Sequence, residues 1–191
     1  MTTSNYLTLS RIAFIPLLAF FLFLPHNWSY PVSAALFSIA SITDFLDGYL
    51  ARKWGEETKF GAFLDPVADK LLVVVAMTLI IAKYPTVLIT IAGLLIISRE
   101  IVITALREWM AGMGKRSVVA VSSIGKWKTG MQITALIMLC LFKPTFEFAG
   151  LNYGLWGHIL GQFFLIVAAV LTLWSMVSYL KAAISEMDVL S

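Results

Sequence analysis

The stretch Thr43-Asp44-Phe45-Leu46-Asp47-Gly48-Tyr49-Leu50-Ala51-Arg52 is followed, eight residues on, by Gly61-Ala62-Phe63-Leu64-Asp65-Pro66-Val67-Ala68-Asp69. Four carboxylates therefore sit between apolar segments, Ile12–Thr43 on one side and Leu71–Ala82 on the other, that carry no charge at all. Asp44 and Asp47 are three residues apart and Asp65 and Asp69 four apart, so on a helix each pair shares one face. The rest of the 191-residue chain supplies the same kind of setting: 60% of it is hydrophobic, only 13% is charged, and the mean hydropathy is +0.88. Such a composition excludes an ordinary soluble domain and points to lipid as the solvent. The apolar runs do not alternate, so backbone groups are satisfied within helices rather than in a closed barrel. An all-α integral membrane bundle is the expected fold, in one membrane-embedded domain spanning residues 1–191.

Working outward, further uncharged stretches cover Tyr84–Ser98, Thr129–Phe142 and Phe148–Leu180. The first long run is broken by Pro25, His26, Asn27 and Pro31, a turn between two helices. The apolar pattern and breakers predict six transmembrane helices at about 5–25, 31–53, 66–82, 85–109, 122–142 and 156–181. Pro66 suits the first turn of the third. Helices two to five fall short of the ~20 apolar residues that cross the hydrocarbon, so they must complete their spans with polar turns.

With a cytoplasmic N-terminus, twelve of the fourteen Lys and Arg residues fall on the cytoplasmic side, leaving only Lys83 and Lys143 outside. That bias follows the positive-inside rule and predicts a multi-pass protein with its acidic motif facing the cytoplasm. Tryptophans and a tyrosine near both boundaries (Trp28, Tyr84 and Trp156; Trp54, Trp109 and Trp127) read as aromatic belts. The net charge of +3 is distributed among hydrophobic spans and forms no basic face for nucleic acid. A signal peptide over residues 1–35 is disfavoured, because Arg11 is the only early cation. Cys140, the single cysteine, reads as a small core residue.

Four carboxylates pooled near lipid repel one another and are costly to desolvate, and divalent metal is their natural neutraliser. All-oxygen ligation selects a hard ion, Mg²⁺ foremost with Mn²⁺ or Ca²⁺ as alternatives, and both histidines, His26 and His158, fall at the opposite side. Gly48, Ala51 and Arg52 continue the Asp44 face, and Gly61 precedes Asp65 by four, so small residues there admit a phosphate or nucleotide. The plainer reading, solvated loop acids paired with Arg52 and Lys70, is weaker for four acids at this spacing within hydrophobic helices.

The pattern Asp44-x-x-Asp47-Gly48-x-x-Ala51-Arg52, eight residues, Gly61-x-x-x-Asp65-x-x-x-Asp69 resembles the full signature of the CDP-alcohol phosphotransferase family. The resemblance extends to the opening Asn5-x-Leu7-Thr8-x-x-Arg11 and to the segments Arg99–Arg107 and Lys126–Gln132, which are most similar to the bacterial branch that acts on glycerol 3-phosphate. It implies a reaction in which an alcohol hydroxyl attacks the β-phosphorus of CDP-diacylglycerol and CMP leaves. It further implies two metal ions held by Asp44, Asp47, Asp65 and Asp69, with Asp69 also the general base. On the same basis Asn5, Thr8, Arg11, Gly48, Ala51, Arg52 and Gly61 contact the CDP-lipid, and the chain is a homodimer.

For the acceptor, sn-glycerol 3-phosphate brings a second anion, and Arg99, Arg107, Lys126 and Lys128 supply cations on helices four and five, with Thr43 and Lys59 close to the acidic motif. Arg99 and Arg107 are eight apart, near two turns, and so share a side of helix four. Their neighbours Glu100 and Glu108 are expected to project in other directions. Lys115, Arg116 and Lys181 read instead as topological anchors. Rival readings are another acceptor (inositol phosphate, serine or phosphatidylglycerol) and, from a different class, a cation or proton transporter, which needs polar groups leading to both faces.

Overall fold

The computed structural model describes the backbone of residues 3–54, 59–114, 123–145, 147 and 151–188, and side chains at 10–43, 67, 68, 70–114, 127–145, 147 and 151–185. Six helices and no strand occur among the described residues: α1 Thr3–Phe23, α2 Ser29–Trp54, α3 Lys59–Lys83, α4 Val87–Gly112, α5 Ser123–Leu141 and α6 Tyr153–Asp188. α6 packs along α5 and α4, α1 lies against α2 and α3, and α2 also touches α5.

Two helices depart in length from the apolar pattern. α3 begins at Lys59, so Gly61 and Asp65 lie inside it and Pro66 is its eighth residue rather than part of its first turn. The hydropathy pattern missed these first seven residues, 59–65, because Lys59, Gly61 and Asp65 interrupt it, whereas Phe60, Ala62, Phe63 and Leu64 sustain a helix. At the other extreme α6 continues to Asp188 through Ala182, Ala183, Glu186 and Met187, which are strong helix formers.

The connections follow local chemistry. Between α1 and α2, the Ser29 hydroxyl donates to the carbonyl oxygens of His26 (2.7 Å) and Leu24 (3.1 Å), and Trp28 packs edge-on against Phe21. Thr86 caps α4 by accepting from the Ile89 amide at 3.3 Å. At the start of α6 a side chain on Gly157 would put its Cβ 2.2 Å from the Phe142 ring, and one on Gly161 would crowd Met138 and Leu139. This small-residue pair, four apart, is what lets α6 lie close to α5.

The surface is unlike that of a soluble protein, and several polar side chains are buried beside the apolar core. Phe20, Ile42, Ile91, Leu94, Ile101, Phe163, Val170 and Trp174 are exposed, while Arg11, Ser33, Arg99, Lys128, Gln132 and Thr172 are buried. Water tolerates exposed apolar patches of this extent poorly, and a hydrocarbon surround favours them. Val87–Gly112 and Tyr153–Ser185 are long and apolar enough to cross a bilayer, with shorter apolar helices at Ser10–Phe23, Ser29–Thr43 and Trp127–Leu141. α4 thus has a full apolar window of its own, which the charge-free stretch Tyr84–Ser98 understated. The protein is membrane-associated.

The main core joins Leu18 and Leu22 of α1, Phe37 of α2, Met77 and Ile80 of α3, Ile96 of α4, Leu136 of α5 and Leu165 of α6. Cys140 is buried in it as a free thiol. A second cluster, Ile103 and Met110 against Tyr179 and Ala183, fastens α4 to α6 at the end where the charges gather.

Candidate active site

Charge gathers at one depth because of where it falls along each helix. Arg11, Asp44, Asp69, Lys70, Arg99 and Lys128 each lie 12 to 15 residues from the bound of their helix at the 24–28, 84–86 or 142–152 connections. At 1.5 Å per residue this is ~18–23 Å along the axis, so α1 to α5 bring these positions to a common level. Asp44 and Asp47 occupy the last three turns of α2, and Asp65 and Asp69 the first three of α3, across a connection of four residues.

The side chains of Asp44, Asp47, Asp65 and Asp69 lie outside the described residues, as do those of Asn5, Thr8, Gly48, Ala51, Arg52, Lys59, Gly61 and Lys126. Arg11 is described and fully buried on α1. Thr43 is half-buried and donates its hydroxyl proton to the Ala40 carbonyl at 2.9 Å, an interaction within its own helix.

Directly after Asp69, Lys70 lines a cavity of about 380 Å³ that α4 completes with Arg99, Glu100, Ile103, Thr104, Arg107, Glu108 and Ala111. Arg99 and Arg107 therefore do share one side of α4. The reason is the inward stripe Ile89, Ala92, Ile96, Arg99, Ile103, Met110, whose three- and four-residue steps carry Arg99 into the interior at 8% exposure. Among the described residues, neither Lys70 nor Arg107 has a carboxylate partner. The cavity is thus a partly enclosed space on which three cations and two carboxylates converge, suited to an anion of phosphate size.

Glu100 corrects one expectation. Its Oε1 accepts from Arg99 Nη1 at 3.1 Å and from the buried Lys128 ammonium of α5, so it does not project away from Arg99. Adjacent helical residues diverge by about 100° at the backbone, but two long side chains that bend towards a common cavity close that angle. From α6, the Ser175 oxygen accepts from Arg99 Nη2 at 3.0 Å, and the Arg99 guanidinium sits 5.8 Å over the Tyr179 ring. Lys70, Glu100 and Ser175 are the additions to the residues singled out in sequence. Only Lys70 had a usable signal, its place immediately after the last acid.

Comparison with known proteins adds the decisive observation. The family model for CDP-alcohol phosphatidyltransferases matches residues 1–174. The chain belongs to the CDP-alcohol phosphatidyltransferase family. It is 51% identical over 177 residues to a protein of Salmonella typhimurium named CDP-diacylglycerol–glycerol-3-phosphate 3-phosphatidyltransferase, covering 93% of this chain and 92% of that one. Proteins of the same name from Escherichia coli K12 and Shigella flexneri are each 48% identical over 181 residues, or 95% of this chain and 94% of theirs. As a CDP-alcohol phosphatidyltransferase it is an enzyme, and members of this family generally use divalent metal ions. Its donor set fits such ions: four aspartates, paired at helical spacing on α2 and α3, offer only hard oxygen ligands.

Proposed function

We infer that this chain transfers the phosphatidyl group of CDP-diacylglycerol to sn-glycerol 3-phosphate, forming phosphatidylglycerophosphate and CMP. The observation that carries the choice of acceptor is the cavity at Lys70, Arg99 and Arg107. It sets Lys70 and Arg107, which have no carboxylate partner among the described residues, around the buried Arg99, immediately after the last residue of the acidic motif, and so suits an acceptor bearing its own phosphate. Relatives of about half identity that carry this activity in their names support the same choice.

Asp44, Asp47, Asp65 and Asp69 would hold the metal, two Mg²⁺ or Mn²⁺ ions, which would offset the phosphoryl charge and that of the departing CMP. Asp69 accepts the proton of the attacking hydroxyl. That oxygen forms the new bond to the β-phosphorus, and the bond from this phosphorus to the CMP oxygen breaks. Gly48, Ala51, Arg52 and Gly61 leave room for and contact the CDP group, with Asn5, Thr8 and Arg11 closing over it from α1. Arg99 and Arg107 bind the acceptor phosphate with help from Lys70, which lines the same cavity, and Thr43, Lys59, Lys126 and Lys128 are further acceptor contacts. All six helices cross the cytoplasmic membrane in a single catalytic domain, the charged end faces the cytoplasm, and the working unit is a homodimer.

An acceptor panel tests the reading. Purified protein with CDP-diacylglycerol and Mg²⁺ is expected to release CMP on adding glycerol 3-phosphate, and not on adding serine, inositol phosphate or phosphatidylglycerol. Silence towards glycerol 3-phosphate, or an equal response to an acceptor without a phosphate, rejects it.

A further inference from the structure

A carboxylate inside a cavity that receives an anion opposes the ligand unless it does something else there. Glu100 and Glu108 both line the cavity, and they differ. Glu108 is exposed and forms no ion pair among the described residues. Glu100 receives two cations from different helices on one oxygen, Arg99 of α4 and Lys128 of α5, which are 8% and 3% exposed. Without that carboxylate two buried positive groups face each other, and in surroundings of low dielectric their repulsion drives them apart.

The third tether comes from α6. Ser175 donates its own proton to the Thr172 carbonyl at 2.9 Å, which leaves its oxygen aimed as an acceptor at Arg99 Nη2. The guanidinium is therefore fixed at both terminal nitrogens, while its Nε is buried and has no hydrogen-bond partner. A fork fixed in this way loses little freedom when it takes up a phosphate oxygen.

Resting on the acceptor reading above, we propose that Glu100 is a positioning residue: together with Ser175 and the buried Lys128 it holds Arg99 as a preformed seat for the phosphate of the acceptor. Its negative charge gathers the cations rather than repelling the substrate. The role belongs to acceptor binding alone, since the CDP-lipid is held by residues of α1, α2 and α3.

The test separates the two substrates. KM for glycerol 3-phosphate and for CDP-diacylglycerol are measured in wild type, Glu100→Ala, Glu100→Gln and Ser175→Ala, each with its melting temperature in detergent. Glu100→Ala is expected to raise the acceptor KM by about 10-fold or more, the scale of a lost charge-assisted hydrogen bond, while KM for the CDP-lipid stays within about twofold. Glu100→Gln keeps an acceptor oxygen and recovers part of that loss. Ser175→Ala, which leaves the ion pairs intact, raises the same KM by about threefold. An acceptor KM that is unchanged or falls overturns the proposal, as does a parallel rise in both KM values. Should Glu100→Ala fail to fold, Ser175→Ala and Glu100→Gln decide the matter by the same criterion. A wild-type enzyme that ignores glycerol 3-phosphate overturns the acceptor reading and this proposal together; a responsive wild type with unshifted variants overturns this one alone.

Discussion

The two ends of the helix bundle spend their positive charge differently. At the end carrying the acidic motif, Lys70 and Arg107 line a cavity of about 380 Å³ and have no carboxylate partner among the described residues. At the other end, Asn27, Tyr30, Pro31, Leu141, Phe142 and Lys143 line a smaller, mostly apolar cavity of about 250 Å³. There the two lysines turn onto the protein: Lys83 lies 4.0 Å over the Tyr30 ring and donates to the Leu22 carbonyl, while Lys143 donates to Asn27 Oδ1 at 3.3 Å. Leu22 is in the last turn of α1, whose carbonyls lack partners within the helix, so Lys83 of α3 completes that end. One end leaves Lys70 and Arg107 on the wall of a cavity, and the other turns both of its lysines onto its own carbonyls, amides and rings.

That contrast breaks most sharply at the acids. Asp69→Asn is expected to lower CMP release by about 10³-fold, within the usual range for loss of a general base, with the melting temperature little changed. Turnover retained in this variant removes Asp69 from the proton-transfer role, and moves the reactive end of the bundle elsewhere.

Next in size come the cavity cations. Arg107→Ala is expected to raise KM for glycerol 3-phosphate by about 10- to 100-fold, the equivalent of one charged hydrogen bond at ~1.5–3 kcal/mol, and to leave KM for CDP-diacylglycerol near its wild-type value. Equal shifts in both would mean that the cavity does not discriminate between the substrates. Lys70→Ala follows at about tenfold on the same constant, because an ammonium binds phosphate as a point charge rather than as a fork.

How much of this was legible in sequence depended on reach. Asp44, Asp47, Asp65 and Asp69 stood out because helical spacing is a local property and an apolar background makes each charge conspicuous. The co-facing of Arg99 and Arg107 was legible for the same reason, being fixed by two turns of one helix. Glu100 was misjudged from an equally local rule: its direction is set by Lys128, 28 residues away on α5, and no periodicity encodes that contact. Ser175 lies 76 residues from Arg99 and enters only through the packing of α6 on α4, for which a serine among apolar residues gives no sign. The early start of α3 was hidden because a hydropathy pattern ends where functional residues begin, although the helix does not.

Changes at the end of Lys83 and Lys143 should alter stability and spare the kinetics. Gly157→Ala forces a methyl group into the Phe142 ring, and overpacking of this kind costs about 1–3 kcal/mol, seen as a lower melting temperature with both KM values unchanged at low temperature. A shifted acceptor KM in this variant would show that the two ends are coupled through α6, and the contrast between them would lose its meaning.

The smallest effect belongs to Lys143. Its hydrogen bond to Asn27 is exposed and its ammonium is 6.0 Å from the Tyr30 ring, so neither contact is strongly desolvated. Lys143→Ala is expected to change stability by no more than about 0.5 kcal/mol, as for most exposed substitutions, and to leave both KM values alone. Because Lys143 and Lys70 both line cavities and carry the same charge, the pair isolates what location contributes. If Lys143→Ala raised the acceptor KM as Lys70→Ala does, the effect would be one of net charge drawing an anion to the whole molecule. It would then weaken with added salt in both variants alike, whereas a seat built for phosphate loses affinity only when its own cation is removed.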